Sequence, residues 1–186
     1  MAATGWSTCH DTLRVVRRTR RCPNQLEHAD FIFPLYHELD STSAAVADLY
    51  RRQLAPRVIL YRERPTRLVK LGFLPPTHQI WRRLLEAQGG PANAIATIGP
   101  PVDTDVELGQ ALATGHRPRR GIVVTSRPQS RVARNALRRG LDGAAVDLRI
   151  HAVTPAEINP RAWWRSRTGW IAYFDAYCLW FLTFIR

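Results

Sequence analysis

Thr125, Ser126, Gln129, Arg131 and Arg134, side chains able to hold an anion, crowd into ten residues. Hydroxyl and amide groups donate or accept hydrogen bonds, and a guanidinium grips phosphate or carboxylate with a rigid fork of donors. Gly121 to Val124 form a short apolar run that reads as a buried strand, so Thr125 and Ser126 fall at its carboxyl end. Pro128 and Gln129 then open a helix expected to run to about Arg139. In an open α/β sheet, ligands collect where strands end and helices begin, because the first turn of a helix presents free N–H groups. The chemistry implied is anion binding. The same residues also suit an ordinary strand–helix corner, with Ser126 as a cap and the arginines in water.

Thr104 and Glu107 add a second constellation, spaced as a capping box. They read as the start of a well-capped helix and, compatibly, as a further wall of the same pocket. Covalent catalysis through Ser126 is disfavoured, since a serine nucleophile needs a base and none is local. Glu38 and Asp40, after the first strand, suit an ordinary turn better than a pocket wall. Cys9, Cys22 and Cys178 form no paired motif and have no histidine at ligand spacing, which argues against a structural metal and a disulfide framework. The first strand is not followed by a glycine fingerprint, and no phosphate-loop lysine is present, so standard nucleotide enzymes are disfavoured too.

The elements needed to position these residues follow from hydrophobic periodicity. Strands are expected near residues 30–36, 57–61, 94–98, 121–125 and 147–153, although Pro34 weakens the first. Helices lie between them. One is capped by Ser41 to Ser43 and carries Ala45, Val46, Leu49 and Tyr50 on one face. A second is capped by Thr77, presents Ile80, Trp81, Leu84 and Leu85, and stops at Gly89 and Gly90. A third starts at Asp103 or Thr104 and runs through Ala113. Residues 62–76 read as a long loop. Strands alternating with helices imply a parallel sheet covered on both faces. The expected fold is a Rossmann-like three-layer α/β/α sandwich, with about five mostly parallel strands and a C-terminal aromatic helix. Residues 1–28 read as an irregular basic arm, in which Leu13 to Val16 form a short strand or a helical turn; residues 29–186 form the single domain.

The C-terminal helix is apolar almost all round, from Trp170 to Ile185, with Asp175 as its one charge. Packing against the sheet is the favoured reading, and peripheral contact with a membrane is the alternative. Trp163 and Trp164 are expected to plug the sheet edge rather than stack on a ligand. The 186 residues carry a net charge of +12, and Lys70 is the one lysine among 27 basic residues. Such a balance attracts nucleic acid, anionic lipid or phosphorylated ligands. The arginines are dispersed rather than tracted, which argues against nucleic acid. No signal peptide and no spanning segment are legible, and scattered thiols suit a reducing compartment, so a cytoplasmic location is expected, with membrane association as the alternative.

These residues resemble a known family. Asp30 to Phe33 resembles the opening strand of the YdcF-like (SanA/ElyC) proteins. Ala44, Ala45, Asp48 to Arg51 and Leu54 to Leu60 resemble its first helix and second strand. Val102, Thr104 and Glu107 resemble its third helix start, and Val123 to Ser126 through Ala133 its strand–helix corner. Trp163 to Arg167 with Gly169 is similar to a tail seen in some bacterial members. The resemblance implies a Rossmann-like pocket for an anionic or nucleotide-like ligand, S-adenosylmethionine by family precedent, and a link to cell-envelope metabolism. The chain departs from the pattern where Tyr36, His37 and Glu38, and again Tyr61, Arg62 and Glu63, replace glycines. Gln129 stands where the family has histidine and Val132 where it has arginine. Gln129 is neither a base nor a cation, so a catalytic pocket would be weakened here. Three functions follow: a small-ligand binding protein, an envelope-metabolism enzyme, or a degenerate scaffold that contacts a partner or membrane.

Overall fold

The computed structural model describes residues 12–13, 28–90, 92–114, 120–142, 144 and 146–185. Short runs of branched and aromatic residues become strands. They are β2 (Phe31–Pro34), β3 (Val58–Glu63), β4 (Ile95–Val102), β5 (Arg120–Ser126) and β6 (Asp147–Val153), all parallel. The central β2 and β5 are buried on both faces, and the edge strand β4 is largely exposed. A two-residue strand, β1 (Thr12–Leu13), pairs antiparallel with β6 at the edge. The sheet order is β1-β6-β5-β2-β3-β4. The chain runs outward from β2 to β4, then returns across β2 to lay down β5 and β6. The order therefore reverses between β2 and β5, the switch point of a doubly wound α/β fold.

Pro34 is tolerated because it is the last residue of β2; the next residue resumes hydrogen bonding, Leu35 N donating to Val124 O at 2.9 Å. Side-chain alternation divides the core between the two faces. Phe31, Phe33, Tyr61, Val123, Leu148 and Ile150 face α4 (Asp105–Thr114) and α5 (Ser130–Gly140), meeting Leu108, Leu112 and Leu137. Ile32, Leu60, Ile122 and Val124 face α1 (Leu39–Arg51) and α3 (Thr77–Ala87), meeting Val46, Leu49, Trp81 and Leu85.

Several helix boundaries differ from the sequence reading. α1 starts at Leu39 with Glu38 at its cap position, so Ser41 and Ser43 lie inside it. Their hydroxyls turn back to local partners: Ser41 Oγ donates to the Glu38 carboxylate at 3.3 Å and Ser43 Oγ to Asp40 O at 3.0 Å. Thr77 is the first residue of α3 rather than its cap, following Pro76; Gly89 then takes a φ of 88° to leave the helix. The expected loop at 62–76 holds the end of β3 and one helical turn, α2 (Arg67–Lys70), which Thr66 caps. α5 begins at Ser130, with Pro128 and Gln129 in the turn before it. Of the expected basic arm, Thr12, Leu13 and His28 are described; the rest lies outside the described residues.

The C-terminal helix α6 (Arg167–Ile185) is three residues longer than expected. It packs on α5 and on the single 3-10 turn Trp163–Arg165, rather than flush on the sheet. Gly169 and Ala176 are its buried residues among those described, while Trp170, Ile171, Phe174, Phe181 and Leu182 are exposed. Trp163 stacks on Tyr173 at 4.6 Å, and Trp164 meets Trp163 edge-on at 5.9 Å. This corner is an aromatic hinge between the turn and the helix, not a plug in the sheet.

Candidate functional site

In a doubly wound sheet the turn after the first parallel strand usually receives a phosphate, because glycines let backbone N–H groups approach it. Here Tyr36 lies in the turn two residues after β2 and β3 carries Tyr61, and the two side chains pack against each other there. Tyr36 Oη donates to Tyr61 O at 2.9 Å and accepts from Tyr61 N at 3.1 Å, while Tyr36 N donates to Tyr61 Oη at 3.2 Å. The rings stack 4.0 Å apart, with Trp81 stacked 5.1 Å away. Burial pushes both tyrosine hydroxyls well above their usual range, so both stay protonated. The start of α1 is hostile to anions as well. Glu38 stands at its cap position and Asp40 in its first turn, where a phosphate would otherwise meet the positive end of the helix dipole. Burial raises the Glu38 carboxyl above its ordinary value, and the negative charges of Glu157 and Asp40 add to that.

Beside this plug lies a hollow of about 120 Å³, lined by Tyr36, His37, Tyr61, Glu63, Asp103, Thr104 and Asp105. Its charge is mainly acidic, relieved by Arg64 on Asp103 at 2.7 Å and His37 near Asp105 at 3.8 Å. Thr104 Oγ1 accepts from Glu107 N at 3.2 Å, and the Glu107 carboxylate accepts from Asp103 N at 2.8 Å. This pair caps α4. Both polar groups are committed to backbone, and the carboxylates around them repel an anion.

A larger cavity, about 310 Å³, opens between α5, the end of β6 and α6. Arg127, Ser130, Arg131 and Arg134 form one wall; Tyr173, Tyr177 and Trp180 form the other; Ile150 and Ala152 of β6 form the floor. Among the described residues, none that lines it is acidic. On α5 and the turn before it, the arginines recur at 127, 131 and 134. On α6 the aromatics recur at 173, 177 and 180. Each set has the four-then-three spacing that keeps side chains on one face of a helix. Burial raises the Tyr173 hydroxyl, and the nearby Arg127 charge pulls it partly back. Gln129 ties the two helices at the rim, its Nε2 donating to the Asp175 carboxylate at 3.4 Å. Thr125 lies under the cavity floor: its in-register neighbour is Ala152, and its fully buried hydroxyl has no hydrogen-bond partner.

The residues expected to share one cleft are therefore divided. Arg131 and Arg134 line the basic cavity, with Thr125 beneath it and Gln129 at its rim. Thr104 lines the acidic hollow, and Glu107 caps α4 outside its lining. Ser126 is buried, and alternation along β5 turns it with Ile122 and Val124 toward α1, away from α4. The single-cleft expectation fails because β2 and β3 lie between β4, which leads into α4, and β5, which leads into α5, and because a one-residue step along a strand reverses the side chain. Arg127, Ser130, Tyr173, Tyr177 and Trp180 complete the cavity and were not expected there. Their regular spacing was legible, but an all-apolar helix gives no sign of which stripe faces inward.

Fold and cavities together define a doubly wound α/β protein in which Tyr36 packs on Tyr61 after the first parallel strand, an acidic hollow of about 540 Å³ opens at the start of α1 beside Glu38, Asp40 and Glu157, and a basic cavity lies beside the last strand. No protein-family model, no curated protein and no solved structure matches the chain.

Proposed function

We propose that this protein binds a small anionic, nucleotide-like ligand in the cavity between α5, β6 and α6. The observation that carries this reading is the pairing of three arginines with three aromatic side chains around about 310 Å³ without an acid. Guanidinium groups suit phosphate, aromatic faces suit a base, and that combination is the usual economy of a nucleotide pocket. The volume lies at the low end of the range for small-molecule sites. S-adenosylmethionine, the ligand suggested by the YdcF-like resemblance, is a poorer match: its sulfonium charge would face three arginines. The family motifs support a YdcF-like protein connected with envelope metabolism. The Tyr36–Tyr61 plug and the absent histidine favour a binding or scaffold role over catalysis, as does the burial of Ser126.

Calorimetric titration with inorganic phosphate, adenosine mono- and diphosphate and S-adenosylmethionine tests this. The expected order places the diphosphate first. Arg131→Ala should weaken phosphate and nucleotides by about tenfold, the worth of one charge-assisted contact. Tyr177→Ala should weaken the nucleotides and leave inorganic phosphate unchanged. A native protein that binds neither phosphate nor nucleotide, or binds both equally well after Arg131→Ala and Arg127→Ala together, would overturn the proposal.

A further inference from the structure

Among the described residues, α6 carries more exposed large hydrophobic side chains than any other element. At about 100° per residue, Trp170, Phe181, Phe174, Cys178, Ile171 and Leu182 fall within an arc of about 120°. Phe174 and Phe181 are 61% and 62% exposed. A helix usually turns such a stripe toward a core; this one turns it to solvent, while the adjacent stripe of Tyr173, Tyr177 and Trp180 lines the basic cavity. Arg167 heads the same arc, and Arg161 and Arg165 are exposed beside it. Trp164 and Trp170, each about half-exposed, gather around Trp163 at this end, where the positive pole of the helix dipole also lies.

We propose that this face of α6 lies flat on an anionic membrane surface, with Trp164, Trp170 and the three arginines at the headgroup level and Phe174, Phe181, Ile171 and Leu182 in the acyl boundary. Tryptophan interleaved with arginine is the chemistry of that interface. The helix lies on the surface rather than crossing it, since no helix among the described residues is long and apolar enough to span. Charge selects lipid over a second copy of the chain. Each copy would bring its own arginines to the seam, the chain carries +12 overall, and Asp175, the one acid on α6, is already held by Gln129. The apolar arc is also wider than the narrow seam between two paired helices. The surface borders the ligand cavity, whose Tyr173, Tyr177 and Trp180 lie on the neighbouring stripe of the helix, but shares none of its lining residues.

Co-sedimentation with vesicles tests the assignment. The full chain should pellet with phosphatidylglycerol–phosphatidylcholine vesicles and remain in solution with pure phosphatidylcholine. Its tryptophan emission should shift to the blue on binding, and binding should fall as salt rises. Phe174→Asp with Phe181→Asp should weaken partitioning by about tenfold or more. Arg165→Gln with Arg167→Gln, which leaves the apolar face intact, should remove most of the preference for anionic vesicles. Circular dichroism of the free variants should match the native protein, because the substituted side chains are exposed. A native protein that ignores anionic vesicles overturns the proposal. So does a lipid-free dimer in sedimentation equilibrium that the paired phenylalanine substitution dissociates, since α6 would then be covered by its own copy.

Discussion

Tyr36 and Tyr61 occupy the turn where a doubly wound fold ordinarily leaves room for a phosphate, and their mutual hydrogen bonds make the closure a structural element in its own right. Removing one hydroxyl leaves a buried carbonyl and a buried N–H of Tyr61 without their partner. Tyr36→Phe should therefore cost about 1–3 kcal/mol in urea unfolding, with the stacked rings retained. The pair also sets a pH dependence. A tyrosine ordinarily loses its proton near pH 10.0, and burial raises both folded values above that. The folded protein keeps protons that the unfolded chain releases, so this contribution is full below pH 10.0 and is lost as pH climbs higher. Urea midpoints measured from about pH 9 to about pH 11 should fall, and fall less steeply in Tyr36→Phe. Equal slopes would mean that the hydroxyls do not titrate as buried groups.

At the scale of elements, α4 and α5 approach through two glycines that no periodicity argument singles out. A Cβ on Gly140 would run into the Val106 carbonyl oxygen and stand 2.8 Å from the Gly109 Cα; a Cβ on Gly109 would stand 2.9 Å from the Gly140 Cα. The obstacles are backbone atoms, which cannot swing aside. Gly140→Ala should therefore destabilise the protein by about 1–3 kcal/mol despite its better helix propensity, read as a lowered urea midpoint. A neutral or stabilising result would show that the helices can separate at little cost. The same contact sets the tilt of α5, which aims Arg131 and Arg134 into the cavity against α6. Strand positions were legible because a parallel sheet demands short apolar runs, and the five expected strands lie within a few residues of β2 to β6. Helix starts were less legible. Serine and threonine suit both caps and first turns, and at Ser41 and Thr77 the chain used the latter.

The whole molecule carries +12, and self-repulsion opposes its compact state. Raising sodium chloride from about 20 mM to about 300 mM should raise Tm, as screening shortens the reach of that repulsion. Sodium phosphate at matched ionic strength should raise Tm further, since an anion held by the arginines binds the folded state and not the unfolded one. Equal shifts in the two salts would count against the basic cavity as a phosphate site, and a fall in chloride would show that the positive charges are already compensated in the fold.

The sequence by itself determined the alternation of strands and helices, and hence a parallel sheet sheathed on both faces, because burial on two sides leaves an unmistakable apolar run at each strand. It also marked the β5–α5 corner and the Thr104–Glu107 cap, since both depend on neighbours a few residues apart. Tertiary structure decided the rest. Whether Tyr36 and Tyr61 blocked or framed a pocket depended on two strands lying side by side. Which stripe of α6 met α5, and which faced outward, could not follow from a helix apolar all round. The basic cavity exists because residues 127–134 and 173–180, some forty positions apart, are brought face to face over the end of β6, and that meeting is a property of packing rather than of local pattern.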